Sequence, residues 1–62
     1  MAEYNSVQIE CTDWDNVHEF YEHIEFWCIQ NNIEATAIGF LGDYVIFRVN
    51  TLHEAIFKLK WS

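Results

Sequence analysis

Apolar and polar residues alternate near the start of the chain. Between residues 4 and 11, the core-type side chains Val7, Ile9 and Cys11 fall on one side, and polar side chains fall on the other. This two-residue period is typical of a half-buried strand. The pattern therefore predicts a first strand with one face turned to a core.

The next stretch changes to a helical period. Thr12 or Asp13 can cap the free amide groups at a helix start, and acidic residues there suit the positive end of the helix dipole. At 100° per residue, one face collects apolar side chains, as a helix packed on a core requires. Asn31 and Asn32 predict the end of this helix. The predicted core face consists of Val17, Phe20, Tyr21, Ile24, Trp27 and Cys28.

Two β-rich runs, residues 33–41 and 44–50, flank the dipeptide Gly42-Asp43. Such a connection favours a primed hairpin turn, with Leu41 opposite Tyr44. A continuous ladder then predicts one bulky side that faces the helices, consisting of Thr36, Ile38, Phe40, Val45, Phe47 and Val49. The open side is predicted to carry Ala35, Ala37, Gly39, Leu41, Tyr44, Ile46, Arg48 and Asn50.

A second helix is predicted at the end of the chain. Thr51 and Glu54 have the spacing of a capping box, in which each side chain bonds the backbone amide of the other residue. Lys58 and Lys60 then lie near the negative end of the helix dipole. The predicted core-facing stripe of this helix consists of Leu52, Ala55, Ile56 and Leu59.

These elements predict an α+β fold with the order β-α-β-β-α. Because crossovers between parallel strands are right-handed, strand three fits between strands one and two. The result is a three-stranded antiparallel sheet in the order 1-3-2, with two helices packed on one face. This resembles a truncated ferredoxin-like architecture without the last strand, a fold that hosts many unrelated functions. A meander with strand one beside strand two is the alternative.

Length and composition indicate one small domain over residues 1–62. A chain of 62 residues buries only about 60% of its unfolded surface, but 52% hydrophobic residues distinguish it from a disordered acidic tail. Without a signal peptide or membrane-spanning run, we expect a soluble protein in the cytoplasm, its own or a host's. Cys11 and Cys28 match no zinc or redox spacing and are expected to be buried thiols, with a bridge as the alternative.

Charge is segregated along the chain. Nine carboxylates and no lysine or arginine lie between Met1 and Phe47, whereas Arg48, Lys58 and Lys60 supply all fixed positive charge. The net charge is −7. Such a surface repels phosphate backbones and anionic lipid and attracts basic surfaces over about 8 Å. We therefore expect a basic protein surface as the partner, with no direct nucleic-acid binding and no membrane contact.

The outer face of the first helix is the predicted partner-binding site. Its carboxylates would speed the encounter with a basic partner, and Phe26 would fill a pocket as an anchor. No acid on this face has a lysine three or four residues away to neutralise it. A merely solvated face is the alternative. The predicted partner-binding residues are Asp15, Glu19, Glu22, Glu25, Phe26 and Ile29.

The open face of the sheet is the second predicted contact surface. Exposed apolar patches usually mark association, and neither outer strand carries the lysine or proline that guards a sheet edge. We predict a homodimer, with Glu10 as a possible cross-strand partner of Arg48; an amphipathic solvated face is the alternative. The predicted self-association residues are Tyr4, Leu41, Tyr44, Ile46 and Arg48.

The residue pattern offers no catalytic or metal-binding set. No serine or cysteine is placed beside a base, as nucleophilic catalysis requires. The helical pairs His18/Glu22 and Glu19/His23 point in different directions and have no third ligand. We therefore predict a protein that is not an enzyme and has no catalytic residues, metal site or cofactor.

The sequence favours a small acidic binding protein, an inhibitor or modulator that occupies a basic surface of a larger protein. If that protein binds nucleic acid, carboxylates spaced like phosphates would make this chain a DNA mimic. Small acidic proteins of phages, as viral proteins, and of mobile elements often act in this way. The alternative is a small-ligand-binding or regulatory homodimer that uses the open sheet face.

Overall fold

A computed structural model describes residues 3–61 of the chain and confirms the predicted order of elements. The sheet order is β1-β3-β2, and β3 is antiparallel to both neighbours. The α+β architecture, with both helices on one face of the sheet, is therefore as predicted. The strands are β1 (Tyr4–Glu10), β2 (Ala35–Leu41) and β3 (Tyr44–Asn50). The helices are α1 (Val17–Gln30), which follows a short 3-10 helix (Trp14–Asn16), and α2 (Glu54–Trp61).

The core lies between the sheet and the helices. Alternate residues of β1 and β3 supply its sheet side, and Ile24 and Cys28 are the fully buried residues of α1. The other predicted core residues of α1 pack around them and are partly buried. The two-residue period of β1 and the helical period of α1 thus predicted the buried face of each element correctly. The buried core consists of Val7, Ile9, Cys11, Ile24, Cys28, Ile33, Val45, Phe47, Val49 and Phe57.

The core-facing side of α2 differs from the prediction. Phe57 is fully buried, with its ring centroid 5.4 Å from that of Phe47, and Trp61, one turn later, packs against the core. Leu59, by contrast, is 85% exposed. The predicted stripe is wrong because α2 carries two apolar stripes, and the aromatic one buries more surface. The exposed stripe consists of Ala55, Ile56 and Leu59 of α2 together with Leu52 in the turn that precedes it.

The start of α2 also differs from the predicted capping box. The helix begins at Glu54, whose carboxylate accepts hydrogen bonds from Asn5 Nδ2 at 2.7 Å and Lys58 Nζ at 2.6 Å. The Asn50 side chain instead caps the preceding turn, since its Oδ1 accepts the Leu52 amide at 2.9 Å. Glu54 therefore ties α2 to β1. Lys58 and Lys60 lie in the last turn of α2, as predicted.

A bulge at Ile38 changes the predicted register of β2. Leu41 pairs with Tyr44 and Phe40 with Val45, as predicted, but the ladder shifts between Ala37 and Gly39. One extra residue exchanges the two faces of the strand beyond it. The predicted faces are therefore wrong for residues 35–38. Ala35 and Ala37 pack on the core, whereas Thr36 and Ile38 are exposed.

Gly42 forms the turn between β2 and β3 with a φ of +58°, as the first central residue of a type II′ turn requires. An added Cβ would meet no atom within 4 Å, so its cost is conformational. We expect Gly42→Ala to lower the free energy of unfolding by about 1 kcal/mol, measured by urea denaturation. Gly39→Ala, equally open but inside a strand, is the matched control and should cause no loss. Equal losses in both variants would contradict the turn assignment.

Both cysteines are buried, unbridged thiols, as expected. Cys11 Sγ lies 3.6 Å from the backbone oxygen of Asp13, to which it donates. Burial, with a smaller contribution from the carboxylate of Glu25, raises the pKa of the Cys28 thiol to about 11. Among residues 3–61, no helix has the length and apolar character needed to cross a membrane.

Candidate functional site

The outer face of α1 exposes both apolar side chains that the sequence assigned to it. Phe26 is 57% exposed and Ile29 is 74% exposed. The carboxylates of the same face are exposed as well, with Asp15 in the 3-10 helix and the others on α1. We call this surface the acidic ridge. It consists of Asp15, Glu19, Glu22, Phe26 and Ile29.

The described lysine and arginine side chains make their contacts with residues outside the acidic ridge. Lys58 forms its ion pair with Glu54, and Lys60 Nζ lies 5.3 Å from the ring centroid of Trp61. On the ridge itself, His18 Nε2 lies 3.1 Å from Glu22, an ion pair only when the histidine is protonated. Within residues 3–61, no lysine or arginine therefore forms a salt bridge with a ridge carboxylate.

Glu25 has a different environment from the rest of the predicted partner-binding set. Its Oε2 accepts hydrogen bonds from the Thr36 hydroxyl and from the Ala37 amide, each at 3.0 Å. The Ala37 amide points away from β3, so the Glu25 carboxylate covers the outer edge of β2. The sequence pattern did not reveal this contact because it depends on the register of β2, which the bulge sets.

The exposed stripe of α2 is an apolar surface that sequence reasoning placed in the core. Leu52 is 86% exposed, Leu59 is 85% exposed and Ile56 is 51% exposed. Lys58 and Lys60 lie on the same short helix. The signal that identifies the buried side is the pair Phe57 and Trp61, two aromatic residues four positions apart.

The predicted self-association residues divide between the two ends of the open sheet face. Leu41 and Tyr44 form a cross-strand pair at the hairpin end and are 61% and 39% exposed, with Ile46, half-buried, next along β3. Tyr4 is half-buried at the other end, where the guanidinium carbon of Arg48 lies 4.0 Å from its ring centroid.

The predicted pairing of Arg48 with Glu10 within one chain is wrong. Arg48 lies opposite Ser6 on β1, whereas Glu10 lies opposite Tyr44 near the hairpin. The predicted pairing failed because the antiparallel register places these two charges at different ends of the sheet. Arg48 contacts Tyr4 instead.

A cluster of polar side chains lies at the end of the sheet where β2 begins. The Glu34 carboxylate accepts hydrogen bonds from the Tyr4 hydroxyl and from Asn50 Nδ2, and the Glu34 amide donates to His53 Nδ1 at 2.9 Å. The hydrogen bond from Tyr4 lowers the pKa of the Glu34 carboxyl, and the same bond raises the pKa of the Tyr4 hydroxyl. Two members of this cluster, Tyr4 and Glu34, border a shallow pocket of about 120 Å³ together with Ala35, Thr36 and Arg48.

The lowered pKa of Glu34 predicts a pH-dependent stability. The contacts of the ionised Glu34 carboxylate stabilise the folded state. This stabilisation is fully present above the ordinary pKa of a glutamate and is lost as the pH falls through the lower pKa of the folded state. We expect the free energy of unfolding of the wild type to exceed that of Glu34→Gln at neutral pH, with the difference shrinking as the pH is lowered below the ordinary pKa of a glutamate carboxyl. Urea denaturation across this range measures it. A difference that is the same at both ends of the range would contradict the assigned contacts.

Within residues 3–61, no three histidine, cysteine, aspartate or glutamate side chains gather as metal ligands do. No protein-family model, curated protein or solved structure matches this chain. The acidic ridge, the exposed stripe of α2 and the sheet surfaces are thus the features from which a function is inferred.

Proposed function

We propose that this protein is a small acidic binding protein, not an enzyme, that acts in the cytoplasm as an inhibitor or modulator by occupying a basic surface of a larger protein. The observation that carries the proposal is the acidic ridge. Phe26 and Ile29 stand exposed among carboxylates that no described lysine or arginine neutralises. Large apolar side chains exposed in this way are typical of contact surfaces.

The chemistry of the acidic ridge specifies its partner. Carboxylates accelerate the encounter with a basic surface, and the apolar anchors then require a pocket beside it. Glu19 and Glu22 lie on one face of the helix, so their carboxylates form a line of negative charge, as phosphates do along a DNA strand. A nucleic-acid-binding protein is therefore the preferred target, with this chain as a DNA mimic of the kind that phages and mobile elements encode.

Parallel affinity capture tests the proposal. Wild type, Glu19→Lys and Asp43→Lys are immobilised separately, exposed to the native lysate at low salt, and eluted with a salt gradient. We expect the wild type to retain a basic protein that elutes at moderate salt, because exposed ion pairs are screened. Glu19→Lys should lose that protein. Asp43→Lys, which makes the same charge change at the hairpin turn, should retain it; equal retention by all three baits would contradict a role for the ridge.

A second candidate function is a small-ligand-binding or regulatory homodimer that uses the open sheet face. The observation that favours it is the pocket bordered by Tyr4, Glu34 and Arg48. A ligand in this pocket would raise the melting temperature, because it binds only the folded state. That shift would persist in Glu19→Lys, which separates this function from binding through the ridge.

A further inference from the structure

The two outer edges of the sheet differ in how they are protected. At the edge of β2, the Glu25 carboxylate accepts the outward-pointing Ala37 amide, and the bulge at Ile38 interrupts the ladder. A covering carboxylate and a bulge are both devices that prevent another strand from adding to an edge. The β2 edge is therefore guarded.

The edge of β1 is regular. All seven residues of β1 pair with β3 in one continuous register. The Thr51 amide donates to Glu3 O and the Cys11 amide donates to Asp43 O, so odd-numbered residues of this segment direct their backbone groups toward β3. The even-numbered residues direct theirs outward, and none of them is a lysine or proline. They are Tyr4, Ser6, Gln8 and Glu10.

We propose that two copies of this chain associate through β1, antiparallel and centred on Val7, to form one six-stranded sheet of order 2-3-1-1-3-2. In this register every outward-directed residue faces another one. Tyr4 lies opposite Glu10 of the second copy, and Ser6 lies opposite Gln8 of the second copy. Each of these pairs exchanges two backbone hydrogen bonds, as hydrogen-bonded pairs do in an antiparallel ladder.

Charge complementarity selects this register. Glu10 of the second copy faces Tyr4, so its side chain can extend over the open sheet face toward Arg48, whose guanidinium lies over the Tyr4 ring. The ring itself reaches across β3 to Glu34, so Arg48 must turn toward the β1 edge to meet Glu10. Arg48 already favours the charged form of Glu34 in its own chain. Because the dimer is two-fold symmetric, the contact between Arg48 of one copy and Glu10 of the other occurs twice. These two ion pairs oppose the repulsion between two chains that each carry a net charge of −7.

The proposed dimer leaves the acidic ridge accessible. A two-fold axis perpendicular to the sheet keeps the helices of both copies on the same side. Since α1 packs on the β2 side of each copy, the two ridges lie far from the β1 junction. The dimer would therefore display two ridges on one side and allow bivalent binding. The self-association itself does not depend on the proposed function.

Size-exclusion chromatography with light scattering and amide hydrogen exchange test the association with the purified chain alone. We expect a dimer, and the amides of Ser6 and Gln8 should gain protection as the protein concentration rises, because they donate across the axis. A strict monomer at about 1 mM, well above the Kd of weak specific complexes, would overturn the proposal. Protection of these two amides that does not change with concentration would overturn it as well.

Charge reversal tests the register. Glu10→Arg brings a like charge to Arg48 of the other copy and should raise the dimer dissociation constant about tenfold or more. Combining Glu10→Arg with Arg48→Glu should recover the dimer. Asp43→Arg makes the same charge change at the hairpin turn and should leave the dimer intact. Equal weakening by Glu10→Arg and Asp43→Arg would overturn the register.

A proline substitution tests the edge without changing charge. Gln8→Pro removes an amide that points out of the sheet, a position at which an edge strand tolerates proline. We expect a folded monomer, with helix and strand content unchanged by circular dichroism. A folded Gln8→Pro variant that still dimerises with wild-type affinity would overturn the proposal.

Discussion

Phe57→Ala is expected to remove most of the stability of this protein. Phe57 is fully buried, and its ring contacts Phe47 at a centroid distance of 5.4 Å. Truncating a buried phenylalanine costs about 3–5 kcal/mol, whereas a domain of this size is stable by only about 3–9 kcal/mol. Urea denaturation should therefore show a midpoint far below that of the wild type, or a variant that is largely unfolded in buffer.

Leu59→Ala is the matched control, on the same helix but 85% exposed. We expect a change of no more than about 0.5 kcal/mol, as is usual for surface substitutions. The stripe predicted from the sequence makes the opposite forecast, since it buries Leu59 and exposes Phe57. A larger loss from Leu59→Ala than from Phe57→Ala would therefore restore that stripe and refute the observed orientation of α2.

The elements with a single apolar face were predictable from the sequence. On β1 and α1, only one placement puts the apolar side chains together, so the period alone identified the buried residues. Gly42-Asp43 fixed the hairpin because few dipeptides suit a primed turn. Right-handed crossover then left one favoured strand order. The acidic ridge was predictable for the same reason, since it is the face opposite the core on α1.

Two features depend on tertiary contacts that local patterns do not record. Residues 35–39 are small or β-branched and suit either face, so nothing local marked the bulge at Ile38. On α2, an eight-residue helix with two apolar stripes, burial depends on which stripe fits beside α1 and over the sheet. The wrong placements of Ile38 and Leu59 share this cause. Each arises where the sequence is consistent with two packings.

The same dependence explains the residues whose roles changed at the candidate site. Glu25 lies at the side of α1 that borders β2, and only the shifted register brings the Ala37 amide within 3.0 Å of it. Arg48 lies far from Glu10 within one chain because of the antiparallel pairing. The residue types alone identify the charged side chains. They do not show which of these side chains contact one another in the fold.

The contacts of the positive side chains strengthen the functional proposal. Lys58 pairs with Glu54, and Arg48 lies over Tyr4 on the open sheet face, so neither contacts the acidic ridge. Within residues 3–61, no lysine or arginine forms a salt bridge that would relieve the self-repulsion of the ridge, and Glu22 lies beside His18, which is charged only when protonated. A basic partner would relieve this repulsion. Its positive charges attract the ridge carboxylates in the complex, and this attraction is absent in the free protein.

Phe26→Ala is expected to weaken partner binding about 30-fold or more, with little change in stability. Phe26 is 57% exposed, so its truncation leaves the core intact. At an interface, the same truncation empties a pocket, and central aromatic anchors are worth about 2 kcal/mol or more. The affinity of the basic protein captured by the wild type is measured by surface plasmon resonance. Ile38→Ala, 55% exposed but on β2, is the control and should bind normally.

The rate constants separate the two parts of the acidic ridge. Glu19→Lys should mainly slow association, since the charges act on the approaching partner and are screened by salt. Phe26→Ala should mainly speed dissociation, because short-range packing of the Phe26 ring forms only after the two proteins are in contact. If both variants changed the same rate constant, the ridge would not combine long-range attraction with an anchor. If Phe26→Ala and Ile38→Ala bound equally well, the partner would use another surface.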